Sequence, residues 1–279
     1  MILPHACDTH FHVFGPAGRY PYAGKLRYTP PKADLDDYLA EARRLGFTRY
    51  VFVQPSAYGQ DNRCMLDAMR TMGPACRGIA DLPDDTQEAK LADLHAVGVR
   101  GVRINVNPIE PPTAGLSAAM LPRIARWAAL CAELGWQLDF LGPGWLTAEL
   151  LPTMSRLTVP YTIAHLGMNL AKDGPDAPGF KALLDLLRHG DGFCHIKLTG
   201  SYRISTAPGF TDIAPMVHAL LEAAPDRLIW GSDYPHLSFA ENTSDALFAL
   251  FKSWVPDAGL QRTILCDTPA RLYGWTESN

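Results

Sequence analysis

The chain has 279 residues, with 25 basic and 29 acidic side chains and a formal net charge of −4. This length suits one large domain, because barrel folds often run to about 250 residues as a single unit. The balanced charge excludes the basic surface that nucleic acids or anionic membranes require, so any cations that bind an acidic ligand must be local.

The cysteines and the first residues bear on the cellular compartment. Six cysteines are dispersed without a Cys-x-x-Cys pair, and several lie within apolar runs, which is typical of reduced thiols in a protein core. The start of the chain has neither a basic segment nor an apolar core of a leader peptide, and no run reaches the ~18 apolar residues of a membrane span. We therefore predict a cytoplasmic protein that does not enter a membrane.

Eight short strands alternate with eight longer amphipathic helices along the chain. The apolar or β-branched runs that predict strands span residues 6–11, 49–54, 77–80, 101–105, 136–140, 161–165, 194–198 and 228–231. The stretches with helical spacing of apolar residues are 35–45, 62–72, 86–96, 118–134, 146–156, 180–188, 212–223 and 244–254. Repeated βα units in this number predict a single-domain α/β protein, a (β/α)8 TIM-type barrel over residues 1–279.

Two segments interrupt the repeat and are predicted to be loops on the catalytic face. Residues 15–31 are rich in aromatic and turn residues and follow the first strand directly, as a lid over a site would. Residues 107–117 are rich in proline and cannot be helical throughout.

Polar residues at the ends of the predicted strands are the candidates for chemistry, because a parallel barrel places its active site there. His10 and His12 are two residues apart, so both imidazoles point to one side of the first strand. Asp233 follows the eighth strand, which adjoins the first strand in a closed barrel, and it suits a general base or a metal ligand. His165 at the end of the sixth strand supplies a third imidazole. Other polar residues at strand ends are Gln54, Ser56, Asn105, Lys197 and His236.

Two arginines are candidates for binding an anion. Arg103 alternates with apolar residues on the fourth strand, so its guanidinium should face the barrel interior and needs an anionic partner there. That partner is either an internal aspartate or a substrate carboxylate, which Arg binds well because its geometry is bidentate. Arg203, just past the seventh strand, is a second candidate, against the alternative of a solvated loop charge.

Six strings spread over the whole chain carry a family resemblance: DTHFHVFGP (8–16), VQPS (53–56), RGVRIN (100–105), IAHLG (163–167), KLTGSYRIS (197–205) and WGSDYPH (230–236). Together they resemble the amidohydrolase superfamily, and more closely its branch of 2-pyrone-4,6-dicarboxylate lactonase-like proteins. The resemblance implies a distorted (β/α)8 barrel with Asp233 as general base and with His10, His12 and His165 polarising the scissile carbonyl. It also implies that Arg103 and Arg203 clamp a carboxylate, and that Ser56 and Tyr28 contact the substrate.

Two departures from the family pattern affect cofactor and substrate. Leu141 stands where metal-binding relatives have a histidine, and the lactonase branch works without a metal, so we predict no cofactor. If zinc is bound, its ligands are His10, His12 and Asp233, with His165 or water completing the tetrahedron. Ile109 stands where the pyrone-dicarboxylate enzymes carry a further arginine, which favours a substrate with fewer charges or more hydroxyls than a planar dicarboxylate.

The sequence therefore predicts a metal-independent hydrolase that opens the ring ester of a small carboxylated lactone, such as 2-pyrone-4,6-dicarboxylate, a muconolactone or a sugar-acid lactone. One alternative is isomerisation of a sugar-acid lactone, in which an internal hydroxyl attacks instead of water. A second is metal-dependent decarboxylation of an aromatic or muconate-like acid. A barrel that binds a ligand without turnover is a third. The oligomeric state stays open, a homo-oligomer included.

Overall fold

A computed structural model describes residues 3–276 except 25, 27, 107–110 and 240. Its sheet has eight parallel strands in the order of the chain, β1 to β8. They are β1 Cys7–Phe11, β2 Arg49–Val53, β3 Cys76–Ala80, β4 Val99–Asn105, β5 Gln137–Leu141, β6 Tyr161–Ile163, β7 Cys194–Leu198 and β8 Leu228–Trp230. The predicted barrel is confirmed.

Helices follow the strands and cover the outside of the sheet. They are α1 Leu35–Leu45, α2 Arg63–Met72, α3 Glu88–Val97, α4 Leu116–Leu134, α5 Gly144–Met154, α6 Pro178–His189, α7 Ser201–Ile204, α8 Ala214–Ala223, α9 Ser244–Trp254, α10 Ala258–Arg262 and α11 Thr268–Tyr273. The eight predicted helices correspond to α1–α6, α8 and α9. The short helix α7 and the C-terminal helices α10 and α11 were not predicted.

Helix α1 shows how local sequence sets these boundaries. The Asp34 side chain accepts a hydrogen bond from the Asp37 N–H and caps the first turn, as N-cap carboxylates do. Gly46 ends the helix with φ of 92°, a left-handed conformation that glycine adopts without strain. The buried face of α1, Tyr38 and Leu39 among its residues, packs into the core around the barrel.

The barrel closes between its first and last strands through residues that follow β8. The Asp233 N–H donates to the carbonyl of His10, and the His12 N–H donates to the carbonyl of Tyr234, each at 2.8 Å. Gly231 permits this approach, since a Cβ there would lie 2.6 Å from the backbone nitrogen of His10. The closing hydrogen bonds therefore tie the backbones of the predicted general base and of both histidines together.

The buried Asp8 side chain stabilises the same junction, which is the contact between β1 and the residues after β8. Its buried carboxylate accepts hydrogen bonds from the N–H groups of His10 and Ser232 and from the hydroxyls of Ser232 and Tyr38, over 2.6–3.1 Å. Burial raises the pKa of Asp8 to about 6, although these hydrogen bonds oppose the shift. Asp8 thus joins β1, α1 and the end of β8.

The two predicted loops differ in how much of them is described. Described residues of the segment 15–31 form turns and irregular structure, and Tyr28 reaches the barrel mouth; closure as a lid stays a prediction. Of the segment 107–117, residues 107–110 lie outside the described residues. Ile109 is one of them, so the replacement of the family's further arginine at this position stays a prediction. Helix α4 begins at Leu116, two residues before the predicted start. None of the helices among the described residues is long and apolar enough to span a membrane.

Candidate active site

A cavity of about 280 Å3 opens at the carboxyl ends of the strands. Its lining is His12, Tyr28, Pro55, Ser56, Arg103, Asn105, Val106, Leu141, His165, Met168, Arg203, Asp233, Leu237 and Ser238. Seven of the eight predicted site residues line this cavity. The eighth, His10, lies fully buried beside Asp233.

Asp233 is buried, and its two carboxylate oxygens have different surroundings. Oδ2 accepts hydrogen bonds from the Tyr202 hydroxyl at 2.6 Å and from Arg203 Nε at 2.8 Å. Oδ1 lies 3.5 Å from His10 Nε2 and 3.6 Å from His12 Nε2, without a hydrogen-bond partner among the described residues. The carboxylate is therefore anchored through one oxygen and available through the other.

Charge and backbone geometry also set Asp233 apart. Burial acts to raise its pKa, but the Arg203 guanidinium outweighs burial and holds the pKa of Asp233 well below its usual range. Asp233 is thus ionised at neutral pH. Its φ of 57° and that of His165, 53°, are left-handed conformations that non-glycine residues adopt at some cost, which is common at functional sites.

His10 contacts a buried lysine on the far side of its ring. Lys197 on β7 places Nζ 3.3 Å from His10 Nδ1 and forms an ion pair with Asp139 on β5. All three side chains are buried. Burial, followed by the Lys197 charge, lowers the pKa of His10 well below its usual range, so the imidazole is neutral.

The other two imidazoles are oriented by their own partners. His12 Nδ1 lies 2.7 Å from the carbonyl of Val53; because a carbonyl only accepts, Nδ1 carries the proton. His165 Nδ1 lies 2.7 Å from the Thr199 hydroxyl. Burial lowers the pKa of His12 and lowers that of His165 to about 3.

Arg103 has protein partners as well as a face toward the cavity. Its guanidinium donates to the carbonyl of Gln54, and its Nε lies 3.9 Å from Asp139 Oδ1 without a hydrogen bond among the described residues. Asp139 is therefore the internal aspartate that the first of the two alternatives for Arg103 required. The guanidinium also lines the cavity, so a substrate anion remains open as a second partner.

Ser56 and Tyr28 meet at the cavity wall. The Tyr28 hydroxyl and Ser56 Oγ are 3.4 Å apart, and both line the cavity. Both hydroxyl-bearing residues are thus at the cavity, and their contact with a substrate stays a prediction. Leu141 also lines the cavity, so this position offers no metal-binding side chain.

Sequence reasoning missed three residues that orient the site. Tyr202 anchors Asp233, Thr199 meets His165, and Asp139 pairs with Lys197. Asp139 carried a signal, because a carboxylate within the apolar strand 136–140 must face a partner if it is buried. For Tyr202 and Thr199 the only signal was their position within the family string KLTGSYRIS (197–205).

Donor atoms of His10, His165 and Asp233 lie within 4.8 Å of one another, so distance alone would allow a cation. The predicted ligands were His10, His12 and Asp233, with His165 or water as the fourth; the set found by distance includes His165 but not His12.

The nearly closed barrel, with one imidazole on β1, a second directly after it and an aspartate after β8, defines an amidohydrolase, and the chain belongs to that family, whose model matches residues 7–275. It is 39% identical over 276 residues to the 4-sulfomuconolactone hydrolase of Rhizobium radiobacter, covering 96% of this chain and 90% of that protein. The enzyme of the same name from Hydrogenophaga intermedia is 36% identical over 280 residues, covering 98% and 90%. A crystal structure from Pseudomonas putida, described as that of a candidate 2-pyrone-4,6-dicarboxylic acid hydrolase, superposes with a TM-score of 0.85 at 32% identity, covering 97% of this chain and 98% of that one. The family resemblance seen in the sequence is confirmed.

Proposed function

We propose that this protein is a hydrolase that opens the ring ester of a small carboxylated lactone of the muconolactone type. The observation that carries the proposal is Asp233, which is held through Oδ2, while Oδ1 lies beside the imidazoles without a hydrogen-bond partner in the described part of the chain. The two relatives at 36% and 39% identity are named as lactone hydrolases, which supports hydrolysis of a lactone here.

In this proposal Asp233 takes a proton from water, and the water attacks the lactone carbonyl. Such proton transfer requires a base with an accessible lone pair close to the nucleophile, which Oδ1 supplies. The tetrahedral intermediate then breaks the ring C–O bond, and the leaving ring oxygen receives the proton from Asp233. The imidazoles of His10 and His165 lie beside Asp233 and, in this proposal, stabilise the developing oxyanion from a buried site. His12 instead presents the lone pair of Nε2, because its Nδ1 donates to the carbonyl of Val53. His10 donates from Nε2, because its Nδ1 accepts from Lys197.

The charges around the cavity favour an anionic substrate. Arg103, Lys197 and Arg203 contribute three cations, against the two carboxylates of Asp139 and Asp233. Because burial keeps the three imidazoles neutral, these residues leave one net positive charge. A single substrate carboxylate would balance it, bound by Arg103 and by the Arg203 donors that Asp233 does not use. Ser56 and Tyr28 would hydrogen-bond the rest of the ring.

The hydrogen bonding of His10 does not suit a metal ligand, although the distances among the donor atoms would allow a cation. A metal ligand needs a lone pair on the nitrogen that faces the ion, whereas the Lys197 contact places a proton on His10 Nε2. We therefore propose catalysis without a metal. A cytoplasmic location is proposed as well, because all six cysteines are free and buried in the structure, as is usual in a reducing compartment.

Hydrolysis of muconolactone in water enriched in oxygen-18 tests the function. One oxygen-18 atom from solvent in the product acid supports hydrolysis. An isomeric lactone without oxygen-18 supports the isomerase, and release of CO2 supports the decarboxylase. A matched lactone without the carboxylate should react with a KM higher by about 10- to 100-fold, because a charge-assisted contact contributes about 1.5–3 kcal/mol. Equal KM values for the two lactones would contradict the carboxylate clamp.

A further inference from the structure

Lys197 is a fully buried cation that the proposed reaction does not itself use. It lies on β7, inside the barrel, and its ammonium contacts both the Asp139 carboxylate and His10 Nδ1. Burial opposes ionisation of Asp139, but the Lys197 and Arg103 cations outweigh it and lower the pKa of Asp139. Burial also lowers the pKa of Lys197, and the ionised Asp139 carboxylate opposes that shift. We therefore take the pair to be ionic, with Lys197 as the ammonium.

The contact with His10 fixes which ring nitrogen carries the proton. A lysine ammonium has three donors and no acceptor, so Nδ1, at 3.3 Å from Nζ, must offer its lone pair. The proton of the neutral ring then lies on Nε2, which points toward Asp233 Oδ1 at 3.5 Å.

His12 has the opposite arrangement. Its Nδ1 donates to the carbonyl of Val53, so its Nε2 carries a lone pair 3.6 Å from the same Asp233 oxygen. The two histidines of the His-x-His pair therefore present one donor and one acceptor to the space where water and the carbonyl meet.

We infer that Lys197 is a positioning residue that fixes His10 as the Nε2–H tautomer, and thereby makes His10 a hydrogen-bond donor to the lactone carbonyl instead of a metal ligand. The inference rests on the proposed function for the role of the donor, while the tautomer itself follows from the contact. A divalent ion on His10 Nε2 would move the ring proton to Nδ1, where it would face the ammonium of Lys197 donor to donor. A metal-ligating histidine ordinarily donates its other N–H to a carbonyl or carboxylate. In His10 the other nitrogen, Nδ1, faces the Lys197 ammonium instead of such an acceptor.

A purely structural role for the ion pair is the alternative to exclude. Replacing a buried ion pair by neutral residues of similar volume is often tolerated, so Lys197→Met combined with Asp139→Asn removes both charges while keeping the volume. Lys197→Arg keeps a cationic donor and serves as the conservative rescue. Thr162→Val is the matched control, because Thr162 donates to Asp139 at 2.9 Å and its removal leaves Lys197 and His10 in contact.

The first measurement is made on the intact wild-type protein by two-bond 1H–15N NMR of the imidazoles, with the His10 signals assigned as those that disappear in His10→Gln. We expect a protonated Nε2 and an unprotonated Nδ1 for His10, and the reverse for His12. A protonated Nδ1 on His10, or stoichiometric zinc bound by His10 in the purified protein, would overturn the inference. This readout involves no substrate, so it stands or falls separately from the choice of lactone.

The second measurement is steady-state kinetics of the variants with the lactone that the protein hydrolyses. For the folded Lys197→Met, Asp139→Asn protein we expect kcat to fall by about 10- to 100-fold with KM within about 3-fold, as for partners that orient an active-site histidine. Lys197→Arg should recover most of kcat, and Thr162→Val should stay within about 3-fold of wild type. Wild-type kcat together with an unchanged His10 tautomer in the double variant would refute the role of Lys197. If the double variant does not fold, the inference is judged on the His10 tautomer measured by NMR in the wild-type protein.

Discussion

Replacing Asp233 by asparagine removes the proposed base while keeping the shape of the side chain. The orientation of the new amide is set by its neighbours, because the Tyr202 hydroxyl and Arg203 Nε both donate to the Oδ2 position. The amide oxygen must occupy that position, so the NH2 group takes the place of Oδ1. The atom beside the cavity then changes from an acceptor of protons to a donor, and water there has no base.

General-base catalysis contributes about 10²- to 10⁴-fold in rate, which corresponds to about 2.7–5.4 kcal/mol at 1.36 kcal/mol per tenfold. We expect Asp233→Asn to lower kcat by this factor with KM changed by less than about 5-fold, since the variant removes an interaction made in the transition state. The assay is lactone hydrolysis followed by pH-stat, with circular dichroism to confirm folding.

Asp212→Asn is the matched control for this experiment. Asp212 is also a carboxylate hydrogen-bonded to a hydroxyl, that of Ser205 at 2.5 Å, but it does not line the cavity. It should keep kcat within about 2-fold. A folded Asp233→Asn protein that retained more than about a tenth of wild-type kcat would refute the general-base assignment.

Three further predictions concern binding, ionisation and stability. Arg103→Met should raise KM for the carboxylated lactone by about 10- to 100-fold, in line with about 1.5–3 kcal/mol for a charge-assisted contact; a change in unfolding free energy alone would make Arg103 structural. Because burial lowers the pKa of His165 to about 3 and lowers those of His10 and His12, all three rings should be neutral at about pH 7 and His165 should stay neutral as pH falls from about 8 to about 5; an NMR titration midpoint at or above about pH 6.5 in any of them would contradict this. Asp8→Ala leaves several buried donors without an acceptor and should cost about 3–5 kcal/mol in urea unfolding; a loss below about 1 kcal/mol would show that Asp8 does not hold the junction.

The periodicity of the sequence was sufficient to predict the architecture. The strand runs are apolar and short, and the helical stretches keep one apolar face, so each element could be recognised without knowing its neighbours. Helix α1 has the predicted bounds, because its ends are set locally by Asp34 and Gly46. The C-terminal helices α10 and α11 lie beyond the eighth βα unit, which is where the repeat gives no guidance.

The candidate site was predictable to the extent that it depends on the ends of strands. Asp233 and His12 could be brought together because β1 and β8 must be neighbours in a closed barrel. The pairing of Lys197 with Asp139 could not, since it depends on the relative height of side chains on β5 and β7, which strand order alone does not give. Sequence reasoning could locate the reacting groups, but it could not identify the residues that fix their tautomers and orient their side chains.

The hydrogen bonds that close the barrel join the backbone of His10 to that of Asp233 and the backbone of His12 to that of Tyr234. These partners are more than 200 positions apart in the sequence, and contacts of such long range form late because a long loop must close before they are made. During synthesis the chain would therefore be without its reactive centre until the residues after β8 had left the ribosome. Appearance of lactone hydrolysis on a translating ribosome would then report completion of the last strand pair, not folding of the earlier βα units.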